Sequence, residues 1–396
     1  MSNIKLTFKD FIPAISGLIG KVSLVASFAL VWAKELGIKN ENFVFENVRL
    51  ELLIGSLISL FGILILKNIS PAGTLSPLVV MIPFMVKFGV HPLILGCLVG
   101  ILGIIFIKTG YYKKLINLSG FLTKTSITLV FGISGMIMSI EKLYLFFENK
   151  YLAFFLLITS LSLIYFILFK TNKTWLIILF SSLIAIIIPY FFNIKPQNNF
   201  IVQSINLSPN HWWNNVWNVG YGLNLTTILK TLPFALFVIL LWAVDTLSIQ
   251  AIKEKNYKHD IEIDNSFVLA SIRNIIGSIF GGAQTASLWR SFLIPLFMTG
   301  RKIKASAIIL CILGITCSLI GWPIHFLSFT PLIWSVLLFG IFIPLIITAI
   351  QNLFNSQCKK SKFFIILFSL LGILINPIIT WLVSTIYEKN KRNLYY

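Results

Sequence analysis

Apolar residues along this chain come in long runs separated by short polar breaks, not in alternation with polar ones. Runs of spanning length occupy 11–33, 50–66, 71–86, 90–107, 121–139, 152–169 and 175–192. After a polar gap they resume at 230–250, 266–280, 284–299, 304–321, 329–350, 363–373 and 375–387. A helix needs about 20 apolar residues to cross the hydrocarbon core, and fewer where other helices enclose it. The pattern predicts an all-α integral membrane protein with 14 transmembrane segments, seven on each side of the gap. Gly372, Asn376 and Pro377 supply the break that divides the last apolar stretch in two.

An odd number of passes in each half makes the halves insert with opposite orientation. This is a 7+7 inverted-topology repeat, the plan of many secondary transporters. The expected organisation is an N-terminus over 1–10, a first repeat over 11–192, a loop over 193–229, a second repeat over 230–387 and a tail over 388–396. In each half the third run is short and opens on helix-breaking or polar residues. The first such opening runs from Asn68 to Pro77 and holds Ser70, Pro71, Ala72, Gly73, Thr74 and Ser76; the second holds Gly281, Gly282, Gln284, Thr285 and Ser287. Irregular backbone is tolerated at membrane depth only where protein or a watery cavity surrounds it. Two half-helices starting there would aim unpaired N–H groups, which carry partial positive charge, at one shared point. Ser70, Ala72, Gly73, Thr74, Gln284, Thr285 and Ser287 are therefore candidate substrate-binding residues.

Composition supports a lipid setting. The chain is 57% hydrophobic and 11% charged, whereas a soluble domain carries about a quarter charged residues. Its net charge of +19 is spread over short basic clusters between apolar runs, which is the positive-inside bias and not a nucleic-acid surface. With 14 passes, 21 lysines and arginines fall in loops on the side of the termini and eight on the other. Both termini are thus expected in the cytoplasm, in a plasma or bacterial-type inner membrane. The 193–229 loop then faces outward, with the indoles of Trp212, Trp213 and Trp217 and the ring of Tyr221 expected at headgroup level. The tail is expected to fray. Cys97, Cys311, Cys317 and Cys358 form no CxxC pair, so packing is expected of them and neither a metal nor a disulfide framework. No cofactor and no catalytic residue is expected. The run from Phe11 lacks a basic leader with a cleavage site and reads as a retained first helix.

Two ionisable residues stand deep in apolar runs. Asp245 lies in the eighth pass, where a carboxylate must face the bundle interior and find a partner, and it is the candidate ion-coupling residue. Arg290 lies in the tenth run; its planar guanidinium suits an oxyanion, or a pair with Asp245. Lys21 either snorkels or lines the cavity, Arg273 is expected to snorkel, and His91 and His325 are expected to be structural.

The stretch from Leu269 to Gly282, followed by Trp289, Arg290 and Ser291 and then Gly300 and Arg301, resembles the sulfate permease (SulP) anion transporters. There a helix ending in a Phe-Gly-Gly turn precedes a half-helix with an Arg-Ser pair and a Gly-Arg junction. The resemblance implies a core domain from passes 1–4 and 8–11, a gate domain from 5–7 and 12–14, and substrate held between passes 3 and 10. Asp245 matches the family's carboxylate in pass 8, which is more often glutamate, and Arg290 matches an anion-contacting arginine. The cytoplasmic STAS domain common in that family is not seen after the last pass. The expected function is a secondary active transporter, a permease for sulfate or a related oxyanion, coupled to H+ or Na+ and not an enzyme. A homodimer is left open. A nucleobase or aromatic carboxylate symporter, sharing the fold, is the alternative; it usually places a second carboxylate in pass 10, where Trp289, Arg290 and Ser291 stand. A channel fits the broken helices but not a buried Asp245, and a membrane-embedded enzyme lacks a polar loop bearing an acid.

Overall fold

In the computed structural model, which describes residues 7–40, 42–194, 204–217, 224–355 and 359–393, the apolar runs are helices. The first, α1 (Phe8–Leu36), starts where the Asp10 carboxylate accepts from the Thr7 N–H at 2.8 Å, a capping box, and ends at Gly37 in the left-handed region. It is followed by α2 (Phe43–Ile65), a 3-10 turn over Ser76–Met81 that runs into α3 (Ile82–Lys87), and α4 (Pro92–Lys108). Next come a short amphipathic α5 (Tyr111–Leu118), where only a loop was expected, then α6 (Phe121–Phe147), α7 (Tyr151–Lys170) and α8 (Ile177–Phe191).

Beyond a π turn at His211–Val216, the second half holds α9 (Leu225–Asn256), α10 (Ile263–Ile279), α11 (Arg290–Thr299) and α12 (Ile303–Ile320). The short α13 (Trp322–Leu327) precedes α14 (Thr330–Leu337), which passes through a π turn at Leu338–Phe342 into α15 (Ile343–Asn355). The chain ends on α16 (Lys359–Leu374) and α17 (Pro377–Asn393). Among the described residues eight helices are long and apolar enough to cross a membrane, and shorter apolar helices cover Ser76–Lys87, Pro92–Lys108, Arg290–Thr299 and Ser361–Leu374. The protein is a multi-pass, all-helical membrane protein.

The helices pack in two groups. α1 lies against α2, α11 and α12, while α4 lies against α9 and α10; separately, α6 lies against α14, α15, α16 and α17, and α7 against α8. Helices in lipid gain little from the hydrophobic effect and associate through close backbone approach at small residues. Gly96, Gly100 and Gly103 put such a face on α4, touching Ser278, Ile275 and Ser271 of α10.

Two expectations are corrected here. The indoles of Trp212, Trp213 and Trp217 are buried, not at headgroup level. Trp213 Nε1 donates to Ile279 O at 3.0 Å and Trp217 Nε1 to Gly281 O at 2.9 Å. The end of α10 leaves carbonyls that no helical N–H can reach, and the indoles satisfy them. Tyr221 lies outside the described residues. Nor does the tail fray from residue 388: α17 continues to Asn393, and Glu388 accepts from Leu122 N at 2.8 Å and Thr123 N at 3.2 Å, capping α6.

Candidate functional site

The two interrupted segments, far apart in sequence, meet in the middle of the first helical group. Residues 70–75 and 283–289 run extended and antiparallel, with Ala72 bridged to Leu288. Gly73 N donates to Ser287 O at 2.8 Å and Leu75 N to Thr285 O at 2.9 Å. A Cβ on Gly73 would be driven into the Trp289 Cα and the Leu288 carbonyl, so this approach requires glycine.

Side chains from α2 and α10 take up most of the remaining backbone groups. Ser59 Oγ accepts from Ala72 N at 3.0 Å, Ser266 Oγ from Ser70 N at 2.9 Å and Asn274 Oδ1 from Ala286 N at 2.6 Å. Glu51 accepts from both Gln284 N, at 3.1 Å, and Gln284 Nε2, at 3.0 Å. The expectation that the crossing offers its backbone donors to a solute is therefore overturned at Ser70, Ala72, Gly73, Leu75, Gln284 and Ala286. In a dry interior an unpaired amide is costly, and each extended strand satisfies its partner.

Behind the crossing, Glu51 of α2 also pairs with Arg273 of α10, and both side chains are fully buried. Contrary to the expectation from the sequence, Arg273 does not snorkel; it faces inward because Glu51 and the Gln284 carbonyl, 3.4 Å from its NH1, receive it. His91 is structural: its Nδ1 accepts from Leu93 N at 3.1 Å as an N-cap, and its ring stacks on Trp213.

In front of the crossing lies a cavity of about 630 Å³, walled by α1, the two helix starts, α9 and α11 on one side and by α6, α7, α8, the π turn at Leu338–Phe342 and α15 on the other. Thr74, Asp245 and Arg290 line it, together with Lys21, Ser76 and Ser291. Ser70, Ala72, Gly73, Gln284, Thr285 and Ser287 build the crossing and lie outside this lining. Thr74 hydrogen-bonds Gln284, which ties the two sets together. Arg290 NH1 stands 3.1 Å from Asp245 Oδ1, both partly buried. The charged lining comprises Lys21, Lys124, Arg290 and Asp245, three cations against one carboxylate. Such an enclosure stabilises an anion by Coulomb attraction that water would otherwise screen. No group of three or more His, Cys, Asp or Glu able to hold a metal occurs among the described residues.

Lys124, Ser76 and Ser291 are among the lining residues that reasoning from the sequence missed. Ser291 follows Arg290 and was legible only as part of its pair; Lys124 read as a loop charge, although it lies in the first turn of α6.

The fold is shared with known transporters. The transmembrane domain of a cyanobacterium bicarbonate transporter, BicA, superimposes with a TM-score of 0.61 at 12% identity, covering 96% of this chain and 98% of that one. Murine Solute Carrier 26 family member A9 (Slc26a9), described as an anion transporter in the inward-facing state, gives a TM-score of 0.62 at 11% identity, covering 99% of this chain and 69% of that one. No curated protein matches by sequence. An all-helical fold shared with anion transporters, as the sulfate permease resemblance implies, is thus the one observed. A family model covers residues 2–393, and the chain belongs to the family described as Protein of unknown function (DUF3360).

Proposed function

We propose that this protein is a secondary active transporter of a small anion in a plasma or inner membrane. It crosses the bilayer 14 times as a 7+7 inverted repeat, counting the two half-helices as passes. α1–α4 and α9–α12 form a core that carries the solute, and α6–α8 with α14–α17 form a gate. The observation that carries the reading is the 630 Å³ cavity where the two interrupted segments meet the facing helices, lined by three cations and one carboxylate. Movement of the core against the gate exposes this cavity alternately to the two sides. Both termini are cytoplasmic, following the 21-to-8 bias of loop cations. The ends of α6 and α15 that line the cavity near Lys124 and Gln351 then lie on the cytoplasmic side.

Arg290 binds the anion and Asp245 carries the coupling ion, H+ or Na+. The two form a pair at 3.1 Å. A cation at Asp245 releases Arg290 to the anion, and anion binding favours a cation at Asp245, since the two events share one pair of charges. An arginine where the nucleobase carriers place a second carboxylate supports an anion over a nucleobase.

The test is uptake of labelled sulfate, bicarbonate and dicarboxylates into liposomes holding the purified protein. Arg290→Ala is expected to abolish uptake while purifying at normal yield. Asp245→Asn is expected to remove any dependence on a pH or Na+ gradient. Wild-type uptake by both variants would overturn the site assignment.

A further inference from the structure

Several buried charges of the first helical group form ion pairs. Glu51 meets Arg273, Asp245 meets Arg290, and Asp10 meets Arg301 in a bidentate pair with both contacts at 2.9 Å. Lys21 of α1 is fully buried and makes no ion pair among the described residues. Its ammonium donates to the Ala72 carbonyl at 3.0 Å and sits 4.2 Å from the centroid of the Trp289 ring. It belongs to the cavity lining, and Gly20 beside it lets α1 press against Ser291, since a Cβ at Gly20 would come within 2.5 Å of the Ser291 side chain. The Ser291 hydroxyl is itself buried in this lining with no hydrogen-bond partner among the described residues. Arg273 is another cation near Lys21, both being within reach of Gly55, and Glu51 answers its charge.

A buried ammonium held by one carbonyl and one aromatic face lacks the compensating negative charge that such a site demands. The cavity is the place where that charge can enter. We infer that Lys21 is a specificity-determining residue, a second fixed positive charge at the cavity floor that makes the site select doubly charged over singly charged anions. The inference rests on the anion-transport reading above and narrows its substrate class. Arg290 answers one negative charge of the solute and Lys21 the other. Lys21 also ties down the Ala72 carbonyl, whose oxygen would otherwise repel the anion, and Ser291 supplies an unspent hydroxyl donor. Its charge acts across a dry wall, so direct contact with the solute is not required.

The experiment compares uptake by the purified full chain in liposomes for two matched pairs, sulfate against nitrate and succinate against acetate. Wild type is expected to carry the divalent member of at least one pair faster than its monovalent partner. In Lys21→Gln the divalent-to-monovalent ratio is expected to fall about ten- to hundredfold, the loss of one charge-assisted interaction. Lys21→Arg keeps the charge and is expected to retain the preference. A wild type that prefers the monovalent member of both pairs overturns the inference and leaves the anion-transport reading standing. So does an unchanged ratio in Lys21→Gln. Uptake of none of the four anions overturns both. Should Lys21→Gln not be recovered folded, the wild-type preference decides.

Discussion

At the level of single residues, depth within an apolar run is a usable signal for burial, and it works best at mid-run. Asp245 and Arg290 were legible as interior charges because apolar residues flank them on both sides. Glu51 was not, since it opens the run at 50–66, where a carboxylate reads as a headgroup residue. Its partner Arg273 was read as snorkelling for the same reason. The pair forms across 222 positions of sequence (273 minus 51), and nothing in the local pattern of either run refers to the other. Buried pairs are costly to break because one charge is then left without its counterpart. Arg273→Ala or Glu51→Ala should each lower stability by about 3–5 kcal/mol. Removing both should cost less than the sum of the two, because the second change deletes the charge that the first stranded. Thermal unfolding of the three variants in detergent, with wild type as reference, measures this. Additive losses would show that the two residues act independently.

Helix interruption at the level of elements was readable from Pro71, Gly73 and Pro77 and from Gly281 and Gly282. What was not readable is that the two openings pair as a short antiparallel ladder, with Gly73 N on Ser287 O and Leu75 N on Thr285 O. Two strands of so few residues carry no alternation from which register can be read. The ladder takes donors that an isolated opening would have left for a solute. What faces the cavity is therefore side chains at the helix starts, Thr74, Ser76, Arg290 and Ser291. Gly73→Ala tests the ladder, because the new methyl meets main chain at Trp289 and Leu288, which has little freedom to move. Overpacking of this kind costs about 1–3 kcal/mol. The variant should melt lower and lose uptake, while Gly37→Ala, at a left-handed turn with open space around it, should melt lower yet keep uptake. Uptake by Gly73→Ala at the wild-type rate would show that the ladder does not set the site.

For the whole molecule, the proposed topology puts the termini in the cytoplasm, and the cavity end near Lys124, Gln351 and Asn352 then faces that side. With the four native cysteines replaced by serine, Gln351→Cys should react with a membrane-impermeant maleimide in inside-out vesicles and stay unlabelled in right-side-out ones. The reverse pattern would invert the topology. By itself the sequence determined the medium, the approximate limits of most helices, both interruptions and two of the interior charges. Each follows from local hydropathy or local backbone chemistry, which a run of about 20 residues already expresses. Only the tertiary structure decided which charges pair, that the indoles of the 204–217 segment close over the end of α10, and that Lys21 ends without a carboxylate among the described residues. Those outcomes depend on which helix faces which. Apolar surfaces of similar composition leave that choice open until close packing and the pairing of buried polar groups settle it.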